Sequence, residues 1–218
     1  MSDLFPQTIE TDRLRLEALR PETVDLFELY EICSSDEGID EITQYLTWDP
    51  HETPKDTLEF LEHVAEQRED NEGGSYLIRP REGEPDAGTI AGDCGFGVDW
   101  DKRTMELGIW LRKRFWGRGY SGERAAAFMT LAFERLDLEL VAITADVENE
   151  NSNRAIERYT EAHGGGRDGL LRNWQLVDGE PADMYRYSVS REEWREATSR
   201  ETWHESDYAV DVTFRDGE

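Results

Sequence analysis

The run from Glu106 to Glu123 constrains this chain most, because a strand pattern, a basic glycine-bearing turn and a helix start follow one another there without interruption. Arg112, Lys113, Arg114 and Arg118 place four cations within seven residues of a chain whose formal net charge is -26. Gly117 and Gly119 let the main chain turn with its N–H groups exposed. A helix starting at Tyr120 aims further N–H groups and a positive dipole end at the same point. An anion is the natural guest, and a pyrophosphate fits. A solvated basic loop around an ordinary glycine turn would carry the same residues.

The stretch also spells Gly117-x-Gly119-x-x-Gly122, the dinucleotide-binding fingerprint, so an NAD-type oxidoreductase has to be weighed. Against it, residues 112–116 separate the strand from the first glycine. The turn also lies behind an antiparallel meander, and only one βα unit follows, too few for a doubly wound parallel sheet.

Along the chain, Leu14 and Leu16 alternating with Arg13 and Arg15 predict a strand over 9–19. Pro21 opens a predicted helix with Val24, Phe27 and Tyr30 on one face, and a polar loop covers 36–50. Thr53-Pro54 starts a second helix through Leu58, Leu61 and Val64, closed by 71–74. Strands over 75–79, 89–100 and 104–111 read as an antiparallel meander. A helix over 120–136 turns Ala125, Phe128, Met129, Ala132 and Phe133 inward. A strand over 139–147, a helix over 152–163 ended by the glycines 164–166, a hairpin of 170–177 with 184–189 around Asp178-Gly179, and a short helix over 192–197 complete the pattern. One domain is predicted over 1–199, with an acidic tail over 200–218 in which 208–214 could add an edge strand.

With 24 Lys+Arg against 50 Asp+Glu, a broad nucleic-acid surface and an anionic membrane are both disfavoured partners. The acids are spread along the whole chain and the only lysines are Lys55, Lys102 and Lys113, a pattern expected of a protein adapted to a very salty cytoplasm, where screening removes self-repulsion. No stretch approaches the roughly 18 uncharged apolar residues of a membrane helix, and residues 1–8 lack the regions of a signal peptide, so a soluble, cytoplasmic protein is expected. Cys33 and Cys94 are expected to be reduced core residues. His51, His63, His163 and His204 show no metal-ligand spacing, and no metal is expected.

Arg114-x-x-Gly117-x-Gly119 resembles the acetyl-CoA loop of the GNAT N-acetyltransferases. The resemblance extends to Thr11-Asp-Arg-Leu-Arg-Leu, Tyr45-Leu-Thr-Trp48, Glu106-Leu-Gly-Ile-Trp-Leu111, Trp116-Gly-Arg-Gly-Tyr-Ser-Gly-Glu123, Phe133-Glu-Arg-Leu136, Asn149-Glu-Asn-Ser152 and the segment from Asp183 to Trp194. These fall in the order of the RimJ/RimL-like branch, which includes ribosomal-protein N-terminal acetyltransferases, over about nine tenths of the chain. The resemblance implies an α+β GNAT fold, with a mixed, mostly antiparallel sheet splayed between the strand before the loop and the strand after the helix. Acetyl-CoA would lie in the gap. The main chain of Ile109, Trp110 and Leu111 would pair with the pantetheine arm, and the chain from Arg114 through Gly117, Arg118 and Gly119 to Tyr120 would hold the pyrophosphate. Some of Arg112, Lys113 and Arg118 would meet the 3′-phosphate.

Acetyl transfer needs a base for the amine, a donor that polarises the carbonyl, and a proton for the thiolate. Glu106, sharing a strand face with Gly108, is the expected base, with Asp146 competing and a backbone N–H near Trp110 as polariser. The resemblance puts Ser152 near the cofactor sulfur and Asn149 near the pantetheine, while both also suit helix capping. Many relatives carry an acid tyrosine seven residues after that asparagine; here the position is Ile156, and Tyr159 reads as packing. Trp48, Trp116 and Trp174 are candidates for the acceptor cleft or for simple packing. No nucleophile constellation supports a covalent acyl-enzyme, so direct transfer is expected. The implied acceptor is a primary amine, foremost a protein N-terminus such as that of a ribosomal protein. A small amine such as a polyamine, amino acid or aminoglycoside is the alternative, and a silent CoA-binding module the non-enzymatic one. A monomer or homodimer is expected.

Overall fold

The computed structural model describes residues 4–217. Nine strands form one sheet: β1 (Thr8–Glu10), β2 (Leu14–Ala18), β3 (Gly73–Pro80), β4 (Gly92–Asp99), β5 (Thr104–Leu111), β6 (Leu140–Asp146), β7 (Gly166–Val177), β8 (Glu180–Ser190) and β9 (Thr213–Arg215). Their order is β7-β8-β6-β5-β4-β3-β2-β1-β9. Every neighbouring pair is antiparallel except β5 and β6. This is the α+β GNAT fold that the resemblance implied, and a single parallel pair rules out a doubly wound dinucleotide fold.

Six helices cover the sheet: α1 (Leu26–Ser35), α2 (Ile39–Thr43), α3 (Pro54–Glu69), α4 (Tyr120–Thr130), α5 (Glu150–Ala162) and α6 (Arg191–Thr198). Strand alternation sends side chains to two cores. Tyr76, Cys94, Phe96, Met105 and Leu107 meet α4 and α5 on one face, while Leu77, Ile90 and Trp110 meet α1 and α3 on the other. Cys33 and Cys94 are free and buried, and burial pushes the Cys33 thiol up to about 12.

Four local expectations are corrected. The strand over 9–19 is a hairpin, because the Thr11 hydroxyl accepts from Leu14 N (3.0 Å) while Thr11 N donates to Leu14 O (2.9 Å), closing a tight turn between β1 and β2. The first helix begins at Leu26, where the Asp25 side chain caps Glu28 N (2.8 Å). The later start rotates the buried face to Leu29, Ile32 and Cys33 and leaves Phe27 62% exposed. The polar loop over 36–50 holds α2. Gly73 and Gly74 do not close α3 but begin β3; the chain turns at Asn71, whose φ is 59°. At the far end Thr213–Arg215 pairs with β1, and Tyr208 packs onto α4 so closely that a Cβ at Gly122 would lie 2.4 Å from its ring. The third glycine of the apparent fingerprint thus serves packing.

Candidate active site

The basic turn folds as the sequence pattern suggests. A single helical turn, Lys113–Phe115, leads to Gly117 (φ 74°) and Gly119 (φ 80°), and Gly119 sits at the N-cap of α4. Both φ values lie in the left-handed region that favours glycine. Among the described residues the five consecutive amides of Gly117, Arg118, Gly119, Tyr120 and Ser121 donate to no protein acceptor. They open at the positive end of α4, and a side chain at Gly117 would meet nothing. Behind the turn, buried Glu123 is gripped by Thr11 and Arg13, so the β1–β2 hairpin sets the position of the helix end.

The loop's cations are mostly engaged. Arg112 Nε and NH2 donate to the two oxygens of Asp36 (2.8 and 2.5 Å), and Lys113 pairs with Glu41. Arg118 NH2 donates to Asp86 (2.9 Å), and Tyr120 OH donates to Glu84 (3.0 Å). The Asp36 carboxyl lies below its ordinary range because Arg112 hydrogen-bonds it. Arg114 stacks over Phe115 at 4.9 Å and forms no ion pair among the described residues. It is the loop's one uncommitted charge among them.

β5 and β6 pair from Thr104/Leu140 to Leu107/Ile143 and then part, β6 continuing only with β8. Val98 N donates to Glu72 O, just before β3, which sets the phase of β4. Asp93, Gly95 and Gly97 therefore bond Trp110, Gly108 and Glu106, and the peptide groups of Ile109 and Leu111 face the gap. Trp110's own peptide groups turn to β4, and Leu111 O already accepts from the Trp116 indole (2.8 Å). The gap opens into a cleft of about 980 Å³ lined from both faces of the sheet, by Trp48, His51 and Phe60 on the α3 side and by Ser121, Arg124 and Tyr159 on the other.

Glu106 stands exposed where the strands separate, and its Oε1 accepts from Thr144 Oγ1 (3.2 Å) across the gap. Gly108 beside it and Gly95 and Gly97 opposite carry no side chain to cover it. Asp146 is buried and its Oδ1 accepts from Glu148 N (2.7 Å), which commits it to the turn after β6. Asn149 Oδ1 caps α5 by accepting from Ser152 N (3.0 Å). Ser152 Oγ lines the cleft without a hydrogen-bond partner among the described residues, and Ile156 follows it one turn on. Trp48 packs edge-on against Trp110 (5.5 Å), and Trp174, 55% exposed, stands at the mouth of the cleft.

The sequence reading missed His51, whose Nδ1 is 2.7 Å from Thr57 Oγ1 and whose ring sits between Trp48 and Phe60. Burial lowers its pKa, favouring the neutral ring. It also missed Asp93, Arg124 and the Tyr159 hydroxyl as cleft groups, although an arginine ahead of Ala125, Ala126 and Ala127 in an inward-facing helix was a visible signal.

A row of free amides beside an open gap suits a diphosphate carrying a long amide-bearing arm. The family model described as "Acetyltransferase (GNAT) domain" matches residues 13–159. The chain is 23% identical over 189 residues to the uncharacterized N-acetyltransferase p20 of Bacillus licheniformis, covering 86% of this chain and 98% of that protein. It is 38% identical over 99 residues to YdaF of Bacillus subtilis (strain 168), which carries the provisional name of a ribosomal N-acetyltransferase, covering 44% of this chain and 51% of YdaF. Its fold superposes on RimL, the ribosomal L7/L12 alpha-N-protein acetyltransferase solved in complex with coenzyme A, at a TM-score of 0.68 and 20% identity, covering 82% and 94% of the two chains. The family match spans well over half of the chain, and with the splayed sheet and the glycine turn it makes this protein a member of the GNAT family, an acetyl-CoA-dependent acetyltransferase.

Proposed function

We propose that the protein moves the acetyl group of acetyl-CoA directly to the α-amino group of a protein N-terminus, the kind of acceptor that the name of RimL gives for that protein. The observation that carries the cofactor half is the run of five amides from Gly117 to Ser121, at the head of α4, that are unpaired among the described residues. Those amides with Arg114 would hold the diphosphate, and the gap-facing groups of Ile109 and Leu111 would pair with the pantetheine arm. Arg118 could join on release from Asp86, whereas Arg112 serves to tie β5 to Asp36. When bound, acetyl-CoA supplies an activated acyl group. Glu106, directly or through water, takes the proton of the attacking amine, and the N–H of Ile109 or Leu111 polarises the carbonyl. Ser152 offers its hydroxyl at the mouth of α5.

The acceptor enters from the Glu106 face, past Trp48 and Trp174. We place the protein in a salty cytoplasm, on its charge of -26. Among the described residues no helix is long and apolar enough to cross a membrane. The test is thiol release from acetyl-CoA in high salt, screened over N-terminal peptides and small amines. Turnover with peptides and not with polyamines, amino acids or aminoglycosides is expected. The reverse order would overturn the acceptor, and binding without turnover on any amine would leave a CoA-binding module.

A further inference from the structure

Three polar side chains lining the cleft hold buried atoms with no hydrogen-bond partner among the described residues: Asp93 Oδ2, Arg124 Nε and NH1, and Tyr159 OH. Arg124 is the most unusual. It is wholly buried, holds its guanidinium carbon 5.8 Å from the centroid of the Phe128 ring, and forms no ion pair among the described residues. An unpaired guanidinium in a protein interior is costly, so its presence here points to a partner that arrives with a ligand.

The helices show where that partner sits. α4 starts at the open end of the gap and runs back beneath the parting strands, so Arg124 lies about 6 Å along the axis from Tyr120, toward the point where β5 and β6 meet. α5 starts at the open end of β6 and also runs back. On it Ser152, Ile156 and Tyr159 share one face, at i, i+4 and i+7, and all three line the cleft. Arg124 and Tyr159 therefore close the cleft from the buried face, while Glu106 and Thr144 bridge it on the exposed face. The apolar side chain of Ile156 can donate no proton.

We propose that Arg124, with the Tyr159 hydroxyl beside it, receives the sulfur of coenzyme A as it leaves, so that the thiolate departs as a paired anion. This rests on the acetyl-transfer reading of the same cleft. The amine nitrogen bonds to the acyl carbon and its proton passes to Glu106. The C–S bond breaks with its electron pair going to sulfur; Glu106 then gives its proton to solvent, and the released coenzyme A takes one from solvent, so the protons balance. The groups whose fields meet Arg124 are Asp93 and Cys94 on β4 and Tyr159 on α5, and Tyr187 and Tyr208 in turn face Tyr159. Burial pushes Tyr159 up to about 12 and the Cys94 thiol well up, keeping both neutral, and pushes Asp93 up to about 7. The positive charge of Arg124 is thus cancelled only in part at neutral pH, and by Asp93 alone among these groups.

The test is the titration of the coenzyme A thiol bound to the full chain, followed by thiolate absorbance against a desulfo-coenzyme A blank. The bound thiol is expected to titrate about one pH unit or more below the free one. Arg124→Met should return it to the free value or above while calorimetry still shows binding, and Arg124→Lys should keep most of the shift. Tyr159→Phe should raise it by a smaller amount, and it supplies the variant arm if Arg124→Met does not fold. A wild-type thiol titrating at or above the free value overturns the proposal, as does a shift unchanged in the variants. A chain that binds no coenzyme A sinks the acetyl-transfer reading itself.

Discussion

Arg13 and Glu123, far apart in sequence, form a clamp behind the phosphate turn: Arg13 Nε and NH2 donate to Glu123 Oε2 at 2.7 and 2.6 Å. Glu123 Oε1 accepts from Thr11 Oγ1 (2.6 Å) and Arg13 N (2.8 Å), and Arg13 NH1 donates to Arg118 O (2.9 Å). All four lone-pair directions of a buried carboxylate are thus used, and the loop carbonyl is held by the same arginine. Glu123→Gln keeps the shape but removes the charge that three donors of Arg13 answer. It should cost about 2 kcal/mol or more in urea unfolding and weaken acetyl-CoA binding about tenfold by calorimetry. Unchanged affinity would show that the clamp does not set the turn.

Gly117 isolates backbone conformation from sterics, because a side chain there would touch nothing while φ stays at 74°. Gly117→Ala should cost about 1–2 kcal/mol through the left-handed conformation alone. Its expected signature is weaker acetyl-CoA binding with little change in the affinity for a peptide acceptor.

Glu106→Gln should lower turnover at saturating substrates about 10²-fold while acetyl-CoA affinity stays within about twofold. Thr144→Val removes the hydroxyl that donates to Glu106 and should have a milder effect of the same sign. A near-normal rate for Glu106→Gln removes Glu106 from proton transfer and turns attention to His51.

Asp93 makes stability depend on pH with a definite sign. Burial raises its folded pKa from 3.8 to about 7, so between these values the folded state holds more protons than the unfolded one. Stability therefore falls as pH rises through that window, by at most about 1.4 kcal/mol per pH unit. Asp93→Asn should flatten this slope and be more stable than wild type at pH 8, in urea titrations at pH 5 and pH 8. An unaltered slope would mean that another group carries the dependence.

Exposed acids without matching lysines repel one another at low ionic strength. Circular dichroism melts from molar salt down to dilute buffer should show falling stability. A melting temperature independent of salt would remove salt adaptation as the reason for the charge.

The fold was legible where short-range patterns carry it. The meander from β3 to β5, the glycine turn and the inward face of α4 all follow from alternation, turn residues and helical period. The site was legible where chemistry is local, as at Gly117, Gly119 and Asn149. Arg112 shows the limit: its charge is visible in the sequence, but the bond to Asp36 depends on where α1 ends after the chain has folded. The phase of α1 was missed because one cap at Asp25 outweighed the proline at 21. The edge strand expected within 208–214 forms only over Thr213–Arg215, because three residues are too few to show a period that would fix its bounds. Arg124 was overlooked because its place in the helix does not reveal that nothing in the protein answers its charge.

Where β5 and β6 part, the last four residues of β5 have no β6 partner. A ligand lying there would act as mortar as well as reagent, since whatever binds only the native chain adds to its stability in proportion to the logarithm of its concentration. The metabolic supply of activated acyl groups would then govern two things together: how fast this enzyme works and how long each molecule survives.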